Sequence, residues 1–335
     1  MRREYIFLIA GLSIGALFAW VFMYFSNEAS LASIFKTVEP IRQEGSKYQF
    51  INPLLACDLP ESTNFDEYTV LEGHIKSLIT KEKDDGAANE VSVYVKELTR
   101  GRWVGVDETV KYDPASLMKV VLMIAYFKDA KGHPEILTQK LVYTKALADI
   151  VSKLPFEATS SILVGDTYSV DDLIQKMIIS SDNNATYMLL NNINQSSLSE
   201  VFTDFGVPDP NAITTSEVYK MSAKDYSLFF RILYNATYLG RTYSERALGL
   251  LAQATFKDGL SGGVPPDTVI AHKYGVREIV TKSGDIQTAE LHDCGIVYAP
   301  DHPYFLCVMT RGSALSRVKK VVGDISSLVY SDLVK

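Results

Sequence analysis

Ser116 and Lys119 stand at the head of a long apolar run and could together form a nucleophile. Residues 114–128 are nearly all apolar, which predicts a helix buried on most sides. Residues three apart share one helix face, so the hydroxyl and the amine can meet. A partly desolvated lysine near the positive end of a helix can lose its proton and activate the serine. The same spacing occurs at two other places, Ser33…Lys36 and Ser316…Lys319. The apolar helix distinguishes Ser116 from both.

Two other polar motifs could supply the remaining chemistry. Ser181-Asp182-Asn183 lies between apolar helical stretches and offers a hydroxyl and an amide, although these residue types also favour the start of a helix. Lys273-Tyr274-Gly275 ends an apolar, strand-like segment, where a lysine can present its charge at a strand edge. Lys282-Ser283-Gly284 is the alternative for this third motif. We favour Lys273 because the apolar segment leads directly into it.

Taken in order, these motifs resemble the S-x-x-K, S-D-N and K-[ST]-G signature of the penicillin-recognising serine hydrolases. That group comprises the class A β-lactamases and the penicillin-binding DD-peptidases. The segments 269–275 and 292–300 also resemble paired strands of class A-type domains, and the resemblance runs from about residue 91 to residue 310. It implies an enzyme that works through an acyl-enzyme intermediate.

The resemblance implies a role in acyl transfer for three residues. Ser116 would be the nucleophile, and Lys119 would be the general base or its partner. Ser181 would return a proton to the leaving nitrogen.

It implies a role in substrate binding for four more. Asn183 would hold the substrate amide, and Lys273 would attract the substrate carboxylate. The oxyanion hole would consist of the Ser116 N–H and the N–H of Val276, the residue that follows Gly275.

The sequence departs from the family pattern in two places. Tyr274 replaces the small hydroxyl residue of the third motif, and this removes a hydroxyl that normally helps to bind the carboxylate. The E-x-x-L-N loop, whose glutamate activates the deacylating water in class A β-lactamases, is missing after Asn183. Glu217 and Asp209 are weak substitutes, since neither has the expected neighbours. The resemblance, with these two departures, therefore implies that Ser116 is acylated readily and that the acyl group is released slowly.

The first 26 residues predict a membrane anchor. Residues 5–25 carry no charge, and at about 1.5 Å per residue they span roughly the 30 Å hydrocarbon core of a bilayer. Arg2 and Arg3 should remain cytoplasmic, which sends the rest of the chain outward. A cleaved signal peptide is the alternative, but its apolar region usually runs only about 7–15 residues. We therefore expect a single-pass protein of the cell membrane with its catalytic domain outside the cytoplasm.

The rest of the chain predicts one α+β domain. A stalk at residues 27–64, which begins to dock near residue 48, precedes the domain at 65–335. Strand signals occur at both ends of the domain, at residues 91–95, 103–106, 268–272, 294–298 and 304–310. Helix signals fill the middle, at about residues 130–255. This order predicts an antiparallel sheet formed by both ends of the domain, with an inserted all-helical lobe.

Composition excludes several other functions. The chain of 335 residues has a formal net charge of −7, which argues against a nucleic-acid binder, because such a protein needs a basic face to neutralise phosphates. Three cysteines without CxxC spacing and five histidines without an HxxxH pair argue against a metal site, and the implied chemistry needs no cofactor. Cys294 and Cys307 face each other across a predicted hairpin. We favour two buried thiols there over a disulfide formed in an oxidising compartment.

Three functions fit these observations. The first is a monomeric, membrane-anchored serine hydrolase that opens the amide of a β-lactam, even if slowly. The second is a DD-peptidase acting on peptidoglycan stem peptides, which release of D-Ala would distinguish. The third is a binding module that kept the fold and lost turnover, and labelling of Ser116 by an acylating probe would argue against it.

Overall fold

The computed structural model describes residues 41–42, 48–56, 69–99, 101–153, 161–210, 219–281 and 286–334. Residues 41–335 form one compact unit, and the description below concerns that unit alone. No helix within these described ranges is long and apolar enough to cross a membrane. Several sequence-based expectations lie outside the described residues: the anchor at residues 1–26, Ser33…Lys36, Glu217 and Lys282-Ser283-Gly284.

A five-stranded antiparallel sheet joins the two ends of this unit. Its strands are β1 (Glu90–Glu97), β2 (Trp103–Val106), β3 (Ile270–Val280), β4 (Ile286–Val297) and β5 (Tyr304–Gly312). They lie in the order β2-β1-β5-β4-β3, so β1 from the first half pairs with β5 from the last. The predicted sheet built from both ends of the domain is confirmed, and β3 is one of its edges.

The strand β3 is longer than the sequence pattern indicates. We predict a strand over residues 268–272, and the observed strand continues to Val280. The apolar pattern ends at Ala271, whereas backbone pairing with β4 continues as far as Val280, opposite Ile286, with a register shift between Ile286 and Thr288. Backbone hydrogen bonds set the pairing of strands, so pairing can persist where side-chain periodicity stops.

Helices cover the sheet on both sides. α1 (Thr69–Asp84) precedes the sheet, and α9 (Leu315–Leu333) follows it. The lobe inserted between β2 and β3 contains α2 (Met118–Ala130), α3 (Lys145–Val151), α4 (Val170–Ile179), α5 (Asn183–Asn192), α6 (Gln195–Asp204), α7 (Ala223–Tyr234) and α8 (Gly240–Leu251). The inserted helical lobe is thereby confirmed.

The sheet separates two hydrophobic cores. The core on the lobe side is centred on α2, whose residues from Val120 to Phe127 are almost completely buried. The core on the other side is closed by α1 and α9, which contribute Ile75 and Val322 among others. Because both faces are covered, β5 is buried along nearly its whole length. The sheet therefore offers a rigid support for residues along its edge.

Residues 48–56 form a segment, here called the strap, that lies against the helical lobe. The Glu245 carboxylate on α8 accepts three successive backbone N–H groups, from Gln49, Phe50 and Ile51, at 2.7, 3.0 and 3.0 Å. The Tyr298 hydroxyl also donates to the Phe50 carbonyl at 2.9 Å. A single carboxylate thus holds the backbone of three successive residues of the strap.

The two cysteines of the last hairpin are bonded to each other. Cys294 on β4 is the direct partner of Cys307 on β5 in the strand register, with Cα atoms 4.0 Å apart, and their sulfurs form a disulfide. Our expectation of two separate thiols is therefore wrong. Directly opposed residues in an antiparallel pair point to the same face, which brings the sulfur atoms together.

Candidate active site

Ser116 lies in a short 3₁₀-helix, Ala115–Leu117, that leads into α2. The Asp113 carboxylate accepts the Ala115 N–H at 3.0 Å, and the buried Tyr226 hydroxyl of α7 donates to the Leu117 carbonyl at 3.0 Å. Ala115 has a φ of 47°, a left-handed conformation that costs a non-glycine residue roughly 1 kcal/mol or more. The 3₁₀-helix is therefore held in a strained geometry from two sides.

Lys119 is buried at the start of α2 and faces the second motif. Its Nζ donates to the Ser181 carbonyl at 2.7 Å, to Ser181 Oγ at 3.0 Å and to Asn183 Oδ1 at 2.7 Å. Burial lowers the pKa of this amine from 10.5 to about 7, while the Asp182 carboxylate opposes the shift. A large fraction of the amine is then neutral at physiological pH and can accept a proton.

The second motif serves the site and caps a helix at the same time. Ser181 has a φ of 57°, which turns the chain so that both its carbonyl and its hydroxyl reach Lys119. Asp182 is the N-cap of α5 and accepts the Ala185 N–H at 2.9 Å. Its other oxygen accepts the N–H and the hydroxyl of Ser161 at 2.8 and 3.0 Å. The two interpretations of this motif are thus compatible.

The edge strand β3 passes close to Ser116. A Cβ atom on Gly275 would lie 2.9 Å from the Pro114 carbonyl and 3.2 Å from the Ser116 nitrogen, so only glycine allows this approach. Arg277 reinforces it, because its Nη1 donates to Asp113 at 2.6 Å. Val276 stands between these two contact residues on β3.

Lys273 does not present its charge at the strand edge as expected. Its side chain is only 1% exposed, and its Nζ donates to the Tyr274 carbonyl at 3.2 Å. The same Nζ lies 4.3 Å from the centroid of the Tyr274 ring. Burial and the nearby Lys119 lower the pKa of Lys273 well below its usual value, and Asp293 opposes this. The large aromatic ring at position 274 thus lies against its neighbour.

Sequence reasoning missed three residues that shape this site. Asp113 and Arg277 form the ion pair that fastens β3 to the 3₁₀-helix, and Phe256 stacks on Tyr274. The unusual Tyr274 in the third motif is the one sequence signal that could have pointed to a partner such as Phe256. Asp209, a weak candidate for the deacylation base, lies near Tyr219, where its charge helps to raise the pKa of that phenol.

The chain belongs to the β-lactamase enzyme family, whose model matches residues 71–333. The sequence and the geometry above thus agree with an independent comparison. No curated protein sequence gives a significant match.

Solved structures share the fold. The structure of PBP-A has a TM-score of 0.66 and 20% identity, covering 81% of this chain and 98% of that one. A variant of PBP-A, similar at the same TM-score of 0.66 and 20% identity over 82% of this chain and 98% of that one, was solved as an acyl-enzyme complex with penicillin G. A β-lactamase from Chitinophaga pinensis has a TM-score of 0.66 and 19% identity over 77% of this chain and 99% of that chain.

Proposed function

We propose that the protein is a serine acyl hydrolase that forms an acyl-enzyme through Ser116 and releases it slowly. The observation that carries this proposal is the buried Lys119 amine, which lies three residues after Ser116 and hydrogen-bonds both Ser181 and Asn183. An amine with a pKa of about 7 in this position is suited to accept the serine proton.

These contacts support the following acylation step. The Ser116 hydroxyl transfers its proton to the neutral Lys119 amine while its oxygen attacks the carbonyl carbon of the substrate. The carbonyl oxygen becomes an oxyanion that the N–H groups of Ser116 and Val276 can stabilise. When the C–N bond breaks, the proton passes from Lys119 through Ser181 Oγ, 3.0 Å away, to the leaving nitrogen. Serine ends as an ester, and Lys119 is neutral again.

Slow release is supported by the carboxylates of the described site. Both oxygens of Asp182 accept hydrogen bonds, from Ala185 and Ser161. Both oxygens of Asp113 are also engaged, by Ala115 and Arg277. Neither carboxylate is therefore placed to activate a water against the ester. This favours the behaviour of a penicillin-binding protein over that of an efficient β-lactamase, and it keeps a DD-peptidase as the second candidate.

We also propose that the domain acts outside the cytoplasm, tethered by residues 1–26. The disulfide between Cys294 and Cys307 supports this location, because disulfides form and persist in oxidising compartments.

The test is intact-mass spectrometry of the full chain in detergent, with excess benzylpenicillin, followed over minutes. The matched variants are Ser116→Ala and Ser316→Ala, since Ser316 belongs to the exposed Ser-x-x-Lys spacing on α9. We expect one persistent adduct in the parent chain and in Ser316→Ala, and none in Ser116→Ala. An adduct that decays within a second while the drug is consumed would contradict slow release. The absence of any adduct would favour a binding module, and release of D-Ala from a stem peptide would favour a DD-peptidase.

A further inference from the structure

The anion-binding end of the site is the place where this chain differs most from its family pattern. A substrate carboxylate would have to meet Lys273 beside the second motif, but only 1% of Lys273 is exposed. Among the described residues, Lys273 forms no salt bridge. Its ammonium has one hydrogen bond, to the Tyr274 carbonyl at 3.2 Å. Lys273 is therefore inaccessible to a substrate anion in this structure.

The aromatic side chain of Tyr274 lies against this lysine. The Lys273 Nζ lies 4.3 Å from the centroid of this ring, within the range of a cation–π contact. The ring is fixed from outside by Phe256, with centroids 4.0 Å apart and planes inclined by 16°. A stacked aromatic pair of this kind is stabilising beyond the apolar area that it buries. The ring is thus packed in place between Lys273 and Phe256.

The phenol of Tyr274 responds to groups of the sheet and of the second motif. Burial and the Asp293 carboxylate raise the pKa of this phenol, whereas Lys319 and the Ser181 side chain lower it. Tyr274 thus supplies a hydroxyl at the end of a large ring where the family pattern has a hydroxyl on a small side chain.

We propose that Tyr274 fills the anion subsite and makes the enzyme select acyl donors that carry a neutral group in place of the usual carboxylate. The inference deepens the proposed function and rests on it. A neutral amide or alkyl group beside the leaving nitrogen can lie against the ring and the phenol. A carboxylate bound there would lose its hydration without forming an ion pair with Lys273, unless the Tyr274 ring moved away from Phe256.

Two probes and two variants of the full chain in detergent test this selection. The probes are benzylpenicillin and its carboxamide, which differ only in the charged group. The measurement is the second-order rate of Ser116 acylation by each probe, expressed as the ratio of carboxylate to carboxamide. Tyr274→Thr restores a small hydroxyl residue and uncovers Lys273, and Tyr274→Phe keeps the ring as the matched control.

We expect the parent chain and Tyr274→Phe to acylate with the carboxamide at least as fast as with the carboxylate. Tyr274→Thr should raise the ratio by about tenfold or more, since a hydrogen bond to a charged group is gained. A parent chain that already prefers the carboxylate by about tenfold, or a ratio that Tyr274→Thr leaves unchanged, would overturn the proposal.

A second measurement separates this proposal from the proposed function. Brief treatment with acetic anhydride, followed by peptide mass spectrometry, compares Lys273 with the exposed Lys145. We expect Lys273 to react several-fold more slowly than Lys145 in the parent chain and to approach it in Tyr274→Thr. Equal reactivity of Lys273 and Lys145 in the parent chain would overturn the proposal of a covered subsite, even if Ser116 is acylated. If Lys273 is protected but Ser116 is not acylated by either penicillin probe, the covered anion subsite stands and the proposed acyl-transfer function is refuted.

Discussion

Lys119 illustrates how a single side chain can be prepared for chemistry by its surroundings. Its aliphatic stem lies in the buried head of α2, and its amine has three oxygen acceptors from the second motif. Desolvation disfavours the ammonium, so the pKa falls to about 7, and the adjacent Asp182 limits the fall. The balance between burial and one neighbouring carboxylate therefore determines whether this amine is a base at neutral pH.

The first prediction concerns the pH dependence of acylation. The neutral amine is the competent form, so the rate should rise with pH and level off above a midpoint near the pKa of about 7. The measurement is the acylation rate of Ser116 by benzylpenicillin between about pH 5.5 and 8.5. Lys119→Arg, which stays protonated, should reduce the rate by at least about 100-fold at every pH. A rate that does not change with pH would refute this role for Lys119.

The second prediction concerns the neighbour of Lys119. Asp182→Asn keeps a good N-cap for α5 but removes the negative charge that raises the pKa of Lys119. The pKa should therefore fall further, and the midpoint of the acylation profile should move to lower pH. Asp172→Asn at the N-cap region of α4 is a matched control, because Asp172 belongs to the capping box of Ser169. A shift toward higher pH in Asp182→Asn would contradict the electrostatic argument.

Individual elements of the site are positioned by close contact between β3 and the 3₁₀-helix of Ser116. Gly275 permits the approach, and the ion pair between Arg277 and Asp113 fastens it at 2.6 Å. The proposed oxyanion donors, Ser116 and Val276, belong to these two elements, so backbone packing sets the distance between them. Small changes in this contact should alter catalysis more than stability.

The third prediction compares two glycines of the sheet. An added Cβ would lie 2.9 Å from the Pro114 carbonyl in Gly275→Ala, and 2.8 Å from Val318 and 3.0 Å from the Ala87 carbonyl in Gly312→Ala. Both should destabilise the fold, as thermal unfolding will measure. Only Gly275→Ala should also lower the acylation rate of the folded protein, by about 100-fold, because it separates the oxyanion donors. Equal acylation rates in the two folded variants would refute the positioning role of Gly275.

The sequence predicts these elements unevenly, and β3 shows why. Its first residues are an apolar run that predicts a strand, but this run ends at Ala271, ahead of Lys273 and Tyr274. The order of the three motifs was readable because each is a local string. The packing of Tyr274 against Lys273 could not be predicted in this way, since the Tyr274 ring stacks on Phe256, which comes from the loop between α8 and β3. Long-range contacts of this kind leave no periodic signal.

At the scale of the whole molecule, the strap ties the N-terminal part of the unit to the helical lobe. Its contacts with Glu245 connect residues 194–196 positions apart in the chain, so no local pattern could predict them. Three N–H groups converge on one carboxylate, and hydrogen bonds to a charged group are stronger than those between neutral groups. The strap should therefore unfold together with the lobe.

The fourth prediction removes this carboxylate. Glu245→Ala should lower the free energy of unfolding by about 2 kcal/mol, because the charge-assisted hydrogen bonds of the strap are lost. Limited proteolysis should then cut near residues 48–52 more rapidly than in the parent chain. Glu245→Gln retains an acceptor oxygen and should show a smaller effect on both measurements. An unchanged rate of cleavage in Glu245→Ala would show that the strap is fixed by other contacts.

The fifth prediction counts thiols in the whole chain. The sequence has three cysteines, and the disulfide between Cys294 and Cys307 leaves Cys57. A denatured, unreduced sample should therefore react with one equivalent of a thiol reagent, and a reduced sample with three. Three reactive thiols before reduction would contradict both the disulfide and the support that it gives to an extracytoplasmic location.

The strap also determines where a mechanical load would enter this unit. Tension from ahead of Gln49 first opens the short pairing of residues 41–42 with residues 54–56. It then meets three hydrogen bonds that end on one carboxylate, so they share the force. The load passes to α8 and, through Tyr298, to the end of β4. The strap would be peeled away before α1 is pulled. A tethered molecule could thus yield at its strap while Ser116 and Lys119 keep their places.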